Sequence, residues 1–340
     1  MQKKKVSLKD IAKKVGVSIA TVSYVLSKDK ESKVSLAVAE RVKKAARELN
    51  YQPNQIAKSL KSGKTFTIGL ILADISNPFF AHIARIIEDE ASKKGYTVIF
   101  GSSDEKAEKS WDLIQFLINR QVDGFIIAPT EGSQEQIKYL KDQNIPFVLI
   151  DRCFPELVTN YVILDNFKAA FEAVDRLVKT ANKKIGIIAY ATELQHMKER
   201  INGYYEAMHE NEIEVKKEWV KEIDFFNIKE GIKTAIDEML MDKNPVKAIF
   251  FTTNSLAVHG LKYLDELNYR VPQNIAIVSF DEGEAFDFYY CPLTHIKQPL
   301  QEIGRTAVKV LIEQILDPSL EEQQILMNAT LIIRKSCDRR

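Results

Sequence analysis

From Thr65 onward the chain alternates short apolar runs with longer stretches of helical periodicity, and few folds satisfy that alternation. Runs at 68–73, 97–100, 124–128 and 147–150 read as buried strands, with helices expected between them at 79–94, 107–119 and 134–143. A strand–helix–strand series forces a parallel sheet, because each strand must return to the same edge before pairing. A second series follows, with strands at 185–189, 248–252 and 275–280 and helices at 166–180, 197–210, 228–241 and 254–267. The expected fold class is therefore two α/β parallel-sheet lobes. Open parallel sheets bind ligands beyond the carboxyl ends of their strands, and with two lobes the cleft between them is the natural site. The polar residues just past strand ends, Asp74, Asp151, Arg152, Asn254 and Asp281, are the first candidates for that cleft.

The segment before Thr65 has a different character. Ser7 and Asp10 mark a helix start, Leu8, Ile11, Ala12 and Val15 form one apolar stripe, and Gly16 is placed to end the helix. Ser18 restarts a helix with Val22, Val25 and Leu26 inward. A third pattern begins at Ser35 and carries Ala39, Val42, Ala46 and Leu49 before Asn50-Tyr51-Gln52-Pro53 stops it. Three short helices with a tight turn after the first match a helix-turn-helix, whose second helix enters the major groove. Ser18, Ile19, Ala20, Thr21, Ser23 and Tyr24 would face the bases there. A helical hairpin with no nucleic-acid role is the plainer alternative.

Charge separates the two readings. Residues 1–64 carry 16 Lys/Arg and 5 Asp/Glu, a net +11, whereas the whole chain is only +1, so the remainder is −10. A basic head can displace counterions from a phosphate backbone while an acidic body stays off it.

The strings VSLKDIAKKVGVSIATVSYVLS and ELNYQPNQIAKSLKSGKTFTIGLI resemble the LacI/GalR family of bacterial transcriptional regulators, and the resemblance runs essentially end to end. It implies a helix-turn-helix domain at 1–53, a hinge helix and linker at 54–64, and an effector-binding and dimerisation domain at 65–340 whose lobes resemble type I periplasmic binding proteins. The N-lobe would span 65–165 and 297–328 and the C-lobe 166–296 and 329–340, with crossings near Asp165, Lys297 and Asn328 and a helix at 300–316 returning to the first lobe. By the same resemblance the hinge residues Asn54, Ala57, Lys58, Leu60 and Lys61 order in the minor groove on operator binding, with Leu60 wedged between base steps. In the cleft, Arg200 and Asp281 would contact ligand hydroxyls or a ring oxygen, Asn254 would hydrogen-bond the ligand, and Phe79 and Phe225 would stack on it. Asp151 and Gln298 complete the implied effector set. Three positions depart from the family's usual pattern: Tyr24 where arginine is common, Ser27 where asparagine is common, and Ser255 where aspartate follows the asparagine. A different operator is expected from the first two, and a different ligand from the third.

What the resemblance implies is a regulator, most simply a repressor, whose operator affinity responds to a sugar, sugar acid or sugar phosphate. Its partners would be a pseudopalindromic operator and a second copy of itself. No cofactor or metal is expected. The five histidines show no metal spacing, Gly63-Lys64-Thr65 lacks the glycine a phosphate loop needs at Lys58, and neither G-x-G-x-x-G after a strand nor G-x-S-x-G occurs. An enzyme is accordingly not expected. Cys153, Cys291 and Cys337 are too dispersed for a disulfide framework, and the opening residues lack an export signal, so a cytoplasmic, nucleoid-associated protein is expected. An exported sugar-binding protein would share the two lobes but leaves the basic head without purpose. The ending LIIRKSCDRR carries no heptads, which favours a dimer over a tetramer.

Overall fold

The computed structural model describes residues 6–26, 34–51, 63–180 and 183–338. The chain divides into two compact units, Met1–Thr65 and Phe66–Arg340.

In the first unit, α1 (Leu8–Val15), α2 (Ile19–Leu26) and α3 (Leu36–Glu48) enclose a small core around Ile11, Val22 and Val42. The Ser7 N–H and hydroxyl both donate to Asp10 Oδ2, at 2.9 and 2.7 Å, which pins the first turn of α1. Gly16 ends that helix at φ +74°, a left-handed conformation that costs glycine nothing. Two residues later the Ser18 hydroxyl accepts the Thr21 N–H at 3.0 Å and caps α2. Arg41 Nη2 donates to the Val15 carbonyl at 2.7 Å, satisfying a carbonyl that the end of α1 leaves unpaired.

The second unit begins with β1 (Thr67–Leu72), α4 (Pro78–Lys93), β2 (Thr97–Ser102), α5 (Ala107–Asn119), β3 (Gly124–Ile127), α6 (Gln134–Asp142), β4 (Phe147–Ile150) and β5 (Tyr161–Leu164). The second series comprises α7 (Asn166–Lys179), β6 (Ile185–Tyr190), α8 (Gln195–Glu210), β7 (Val220–Ile223), α9 (Ile228–Met241), β8 (Ala248–Phe251), α10 (Asn254–Glu266), β9 (Ala276–Phe280), α11 (Glu284–Phe288) and β10 (Thr294–Lys297). The chain closes with α12 (Leu300–Leu316), β11 (Gln324–Met327) and β12 (Thr330–Ile332). Two six-stranded sheets result, in the orders β11-β5-β4-β3-β1-β2 and β12-β10-β9-β8-β6-β7. All pairs are parallel except β10 with β12.

Because β5 and α7 belong to different lobes, as do β10 and α12, and β11 and β12, the chain passes between lobes three times. The first and last passages lie side by side: the Asp165 N–H donates to the Met327 carbonyl at 2.9 Å and Lys168 Nζ reaches Asn328 Oδ1 at 3.2 Å. Helix α12 packs on α4 and β4, so a late segment completes the first lobe.

The apolar periodicity finds the central strands and the long helices of the body other than α12, which the family resemblance supplied, with bounds shifted by at most two residues. It differs from the structure in three ways. Strand β2, expected to be buried, is an edge strand with Phe100 60% exposed. Strand β5, YVIL, is an apolar run that the reading omits, β10, THIK, is of mixed composition, and β12 has only three residues. Strands β7 and β11 lie at or next to solvent, and their mixed polar composition, VKEI and QILM, carries no continuous apolar signal.

Helices α7 and α8 approach so closely that Gly203 has no room for a side chain: an added Cβ would sit 2.4 Å from the Phe167 carbonyl oxygen and 2.9 Å from Ala170 Cβ. Since backbone cannot yield as a side-chain tip can, Gly203→Ala should lower stability by about 2–3 kcal/mol. Urea unfolding of the full chain checks this, and an unchanged midpoint would show that the two helices separate freely.

Candidate functional site

Two strand ends face one another across the lobes. Strand β4 ends at Ile150 and β9 at Phe280, and the next residue in each case is a buried aspartate in the left-handed conformation: Asp151 at φ +66° and Asp281 at φ +65°. Aspartate tolerates that conformation better than most residues. Each aspartate is therefore turned out of the strand direction at the carboxyl edge of its sheet.

Two buried arginines compensate them. Arg152 forks onto Glu105, Nη1 to Oε2 and Nη2 to Oε1, each at 2.6 Å, and its Nη1 also donates to the Pro129 carbonyl at 3.2 Å. Its Nε lies 3.3 Å from Asp151 Oδ2 without hydrogen-bond alignment. Arg200, on α8, donates from Nε to Asn166 Oδ1 at 2.9 Å and from Nη1 to the Thr252 carbonyl at 2.6 Å. Its guanidinium lies 3.6 Å from the centroid of the Phe280 ring. Asn166 is itself fixed by its Nδ2 bond to the Leu164 carbonyl at 3.0 Å. The first inter-lobe passage thus holds the arginine that faces the cleft.

Burial dominates the electrostatics. It pushes the Asp151 carboxyl up to about 6, against the opposing pull of Arg152 and Arg200. Burial also raises Asp281, offset in part by Arg200, by the Gln298 side chain and by the Asn254 N–H. Burial works against the charge on both arginines. For Arg152 the Glu105 carboxylate more than reverses it, whereas Arg200 stays below its ordinary value. His196, on α8, is held neutral by burial and by the two nearby guanidiniums.

The cleft is shut. Phe79, His82, Asp281, Glu282, Gln298 and Leu300 line a small, partly open cavity of about 10 Å³, room for roughly one water. Glu131, past the end of β3, accepts the Thr192 hydroxyl at 2.7 Å and the Glu193 N–H at 3.3 Å, both beyond the end of β6. Next to this latch, Leu194 inserts among the apolar residues of the first lobe, including Ile71 and Cys153.

Of the expected cleft residues, the structure brings together Asp151, Arg152, Arg200, Asp281 and Gln298, with Gln298 Nε2 donating to Asp281 Oδ1 at 2.6 Å. Phe79 lines the cavity and packs edge-on to Phe80 at 5.0 Å. Asn254 is buried as the first residue of α10, but the helix cap is Thr253, whose Oγ1 accepts the Leu256 N–H at 3.3 Å. Phe225 packs on Tyr190, at the end of β6, with centroids 5.3 Å apart. Asp74 is half-buried and bonded locally to the Ser76 N–H and hydroxyl, at 2.9 and 2.7 Å. Sequence reasoning passed over Glu105, His196 and Glu131. Glu105 and Glu131 each lie a few residues past a strand end, so the strand-end rule could have reached them. His196 had no signal beyond its place on the helix that carries Arg200.

On the head, α2 presents Ile19 49% exposed and Tyr24 39% exposed, with Ala20 also exposed and Ser23 half-buried. The hydroxyls of Ser18 and Thr21 are 2.9 Å apart, so both serve the start of the helix. Asn54, Ala57, Lys58, Leu60 and Lys61 lie outside the described residues.

A helix-turn-helix unit joined to a two-lobed parallel-sheet body with a charged cleft defines a class of ligand-responsive binding proteins. Residues 7–54 match the model of bacterial regulatory proteins of the lacI family, and residues 174–337 match that of the periplasmic binding protein-like domain. The HTH-type transcriptional repressor CytR of Escherichia coli strain K12 is 34% identical over 334 residues, covering 97% of this chain and 96% of that protein. Two solved structures align over 98% of this chain and 100% of their own. One is a transcriptional regulator CelR–cellobiose complex, at TM-score 0.72 and 26% identity. The other is the Lac repressor dimer bound to operator and an anti-inducer, at TM-score 0.83 and 24% identity, a likeness of fold. The chain belongs to the LacI family of bacterial regulatory proteins.

Asp151 gives a pH signature. Its folded value of about 6 lies above the 3.8 of an unperturbed aspartate, so its ionisation opposes folding: the penalty is absent below about pH 4 and complete above about pH 6. Asp151→Asn keeps the shape and suits φ +66°. It should gain about 1–3 kcal/mol of stability relative to wild type on going from pH 4 to pH 7. Denaturant unfolding at the two pH values reads this difference, and a constant offset would contradict the assignment.

Proposed function

We propose that the chain is a sequence-specific transcriptional repressor whose operator affinity is set by a small polar, carbohydrate-like effector bound between the lobes of its body. The observation that carries this is the joining in one family member of a basic helix-turn-helix head to a body whose cleft is lined by buried, paired charges. The recognition helix offers apolar contact from Ile19 and Ala20, suited to thymine methyl groups, and a phenol from Tyr24. The cluster of lysines and arginines around it supplies phosphate contacts. Two copies place two such helices on half-sites of a pseudopalindrome.

An effector must open the cleft to enter, since ligand pockets of this kind are about 300–1,000 Å³. Once bound it replaces the inter-lobe contacts with its own, and the hinge at residues 54–61 carries the change to the head. By linkage, a ligand that weakens operator binding is bound less tightly on the operator by the same factor. The family's fold also carries the reading that the protein works in the cytoplasm on nucleoid DNA and does no chemistry on its ligand.

Selection of duplexes from a random pool, followed by titration at several salt concentrations, tests the DNA arm. A pseudopalindromic consensus with a steep salt dependence is expected. Tyr24→Ala should weaken that site by about 1–3 kcal/mol while leaving non-specific binding unchanged. Leu60→Ala should also weaken it, through loss of the minor-groove wedge. Enrichment of no sequence at all, with folded protein, would overturn the reading.

A further inference from the structure

We propose that the effector carries no negative charge and presents O–H or N–H donors, so that the cleft rejects sugar acids and sugar phosphates. This rests on the reading that the cleft is the effector site. Three carboxylates, the buried Asp151 and Asp281 and the half-buried Glu105, stand there against two buried guanidiniums, Arg152 and Arg200. By formal charge the cluster holds one carboxylate more than it has guanidiniums, so an incoming anion finds no unmatched cation there, in a medium where water screens little.

Arg152 has no free fork to offer, and two of the three nitrogens of Arg200 are already engaged. Both Nη atoms of Arg152 are committed to Glu105, while Nε and Nη1 of Arg200 are taken by Asn166 and the Thr252 carbonyl. Recognition of phosphate or carboxylate depends on such forks. Releasing either arginine would strand a buried partner, and stranding Glu105 would leave a second unpaired carboxylate.

Two unfilled acceptors point the same way, and the Arg152 Nε–H, also unpartnered among the described residues, is served by the oxygen of a neutral hydroxyl. Gln298 is 4% exposed and lines the cavity. Its Nε2 is spent on Asp281, and its Oε1 has no partner among the described residues. An amide oxygen only accepts. His196, 6% exposed, has an unpartnered Nδ1, which in a neutral ring can accept as well. An uncharged ligand bearing hydroxyls or ring N–H groups satisfies Gln298 Oε1 and Asp281, which line one cavity with Phe79 as its apolar wall.

Two measurements on the full chain test this. In the first, hydrogen–deuterium exchange of segments 148–155 and 194–204 is compared in phosphate and in chloride at equal ionic strength. Phosphate should leave both segments unchanged in wild type. It should slow their exchange in a Glu105→Gln, Asp151→Asn double variant, in which one carboxylate faces two guanidiniums. Protection of these segments by phosphate in wild type would overturn the proposal.

In the second, a dialysable cell extract is passed over an anion exchanger and each fraction is added to an operator titration with wild-type protein. The unretained fraction should shift operator affinity. A shift confined to the retained, anionic fraction would overturn the proposal, whatever the folding of the double variant. If neither fraction acts, the reading of the chain as ligand-controlled fails, and phosphate exchange in wild type still decides whether the cleft excludes anions.

Discussion

Burial of the Arg200 guanidinium is the constraint on which the body of this protein turns. A cation removed from water must be met from several sides, and here it is met by the side chain of Asn166, the carbonyl of Thr252 and the face of Phe280. Those three groups come from the start of α7, the end of β8 and the end of β9. One side chain therefore fixes the relative placement of three strand-end segments of the second lobe, and its charge reaches across to Asp151 in the first. The close approach of α7 to α8 at Gly203 serves the same end, since it sets α8 and its arginine against the residue that accepts from it.

Such a cluster is poised rather than strongly stabilising. Buried ion pairs roughly cancel their desolvation cost against their mutual attraction, and Asp151, raised to about 6, shows how narrowly the balance holds. Contacts that fasten the lobes together include the exposed latch of Glu131 on Thr192 and the insertion of Leu194. A closed form over a marginally compensated interior is one whose population a ligand can change through its own differential contacts, which an allosteric regulator requires.

Much of this was legible in the sequence because burial is written as periodicity. The central strands are continuous apolar runs, and α5 and α9 have the bounds that their patterns set. The edge strands were not legible, because β2 exposes Ile99 and Phe100 and β7 reads as VKEI, so neither shows the pattern of a two-sided core. In the cleft, looking just past each strand end located Asp151, Arg152 and Asp281, and family resemblance supplied Arg200 and Gln298. The partners that make those groups tolerable were harder to read. Glu105 meets Arg152 only once β2 and β4 lie in one sheet, and pairing across 47 positions leaves no local signal. Asp74 obeys the same strand-end rule and bonds to Ser76 instead, because two nearby donors outcompete a distant cleft.

The central claim is that opening and closing of the cleft controls the head. It is tested most directly by joining the lobes covalently at the latch, with Glu131→Cys and Thr192→Cys bridged by a short thiol-reactive linker, while the three native cysteines stay buried. Operator affinity is then measured with and without the dialysable fraction of a cell extract, before and after linking. The expected result is a shift in operator affinity for the unlinked protein that disappears once the lobes are joined. An equal shift in linked and unlinked protein, or none in either, would contradict the account.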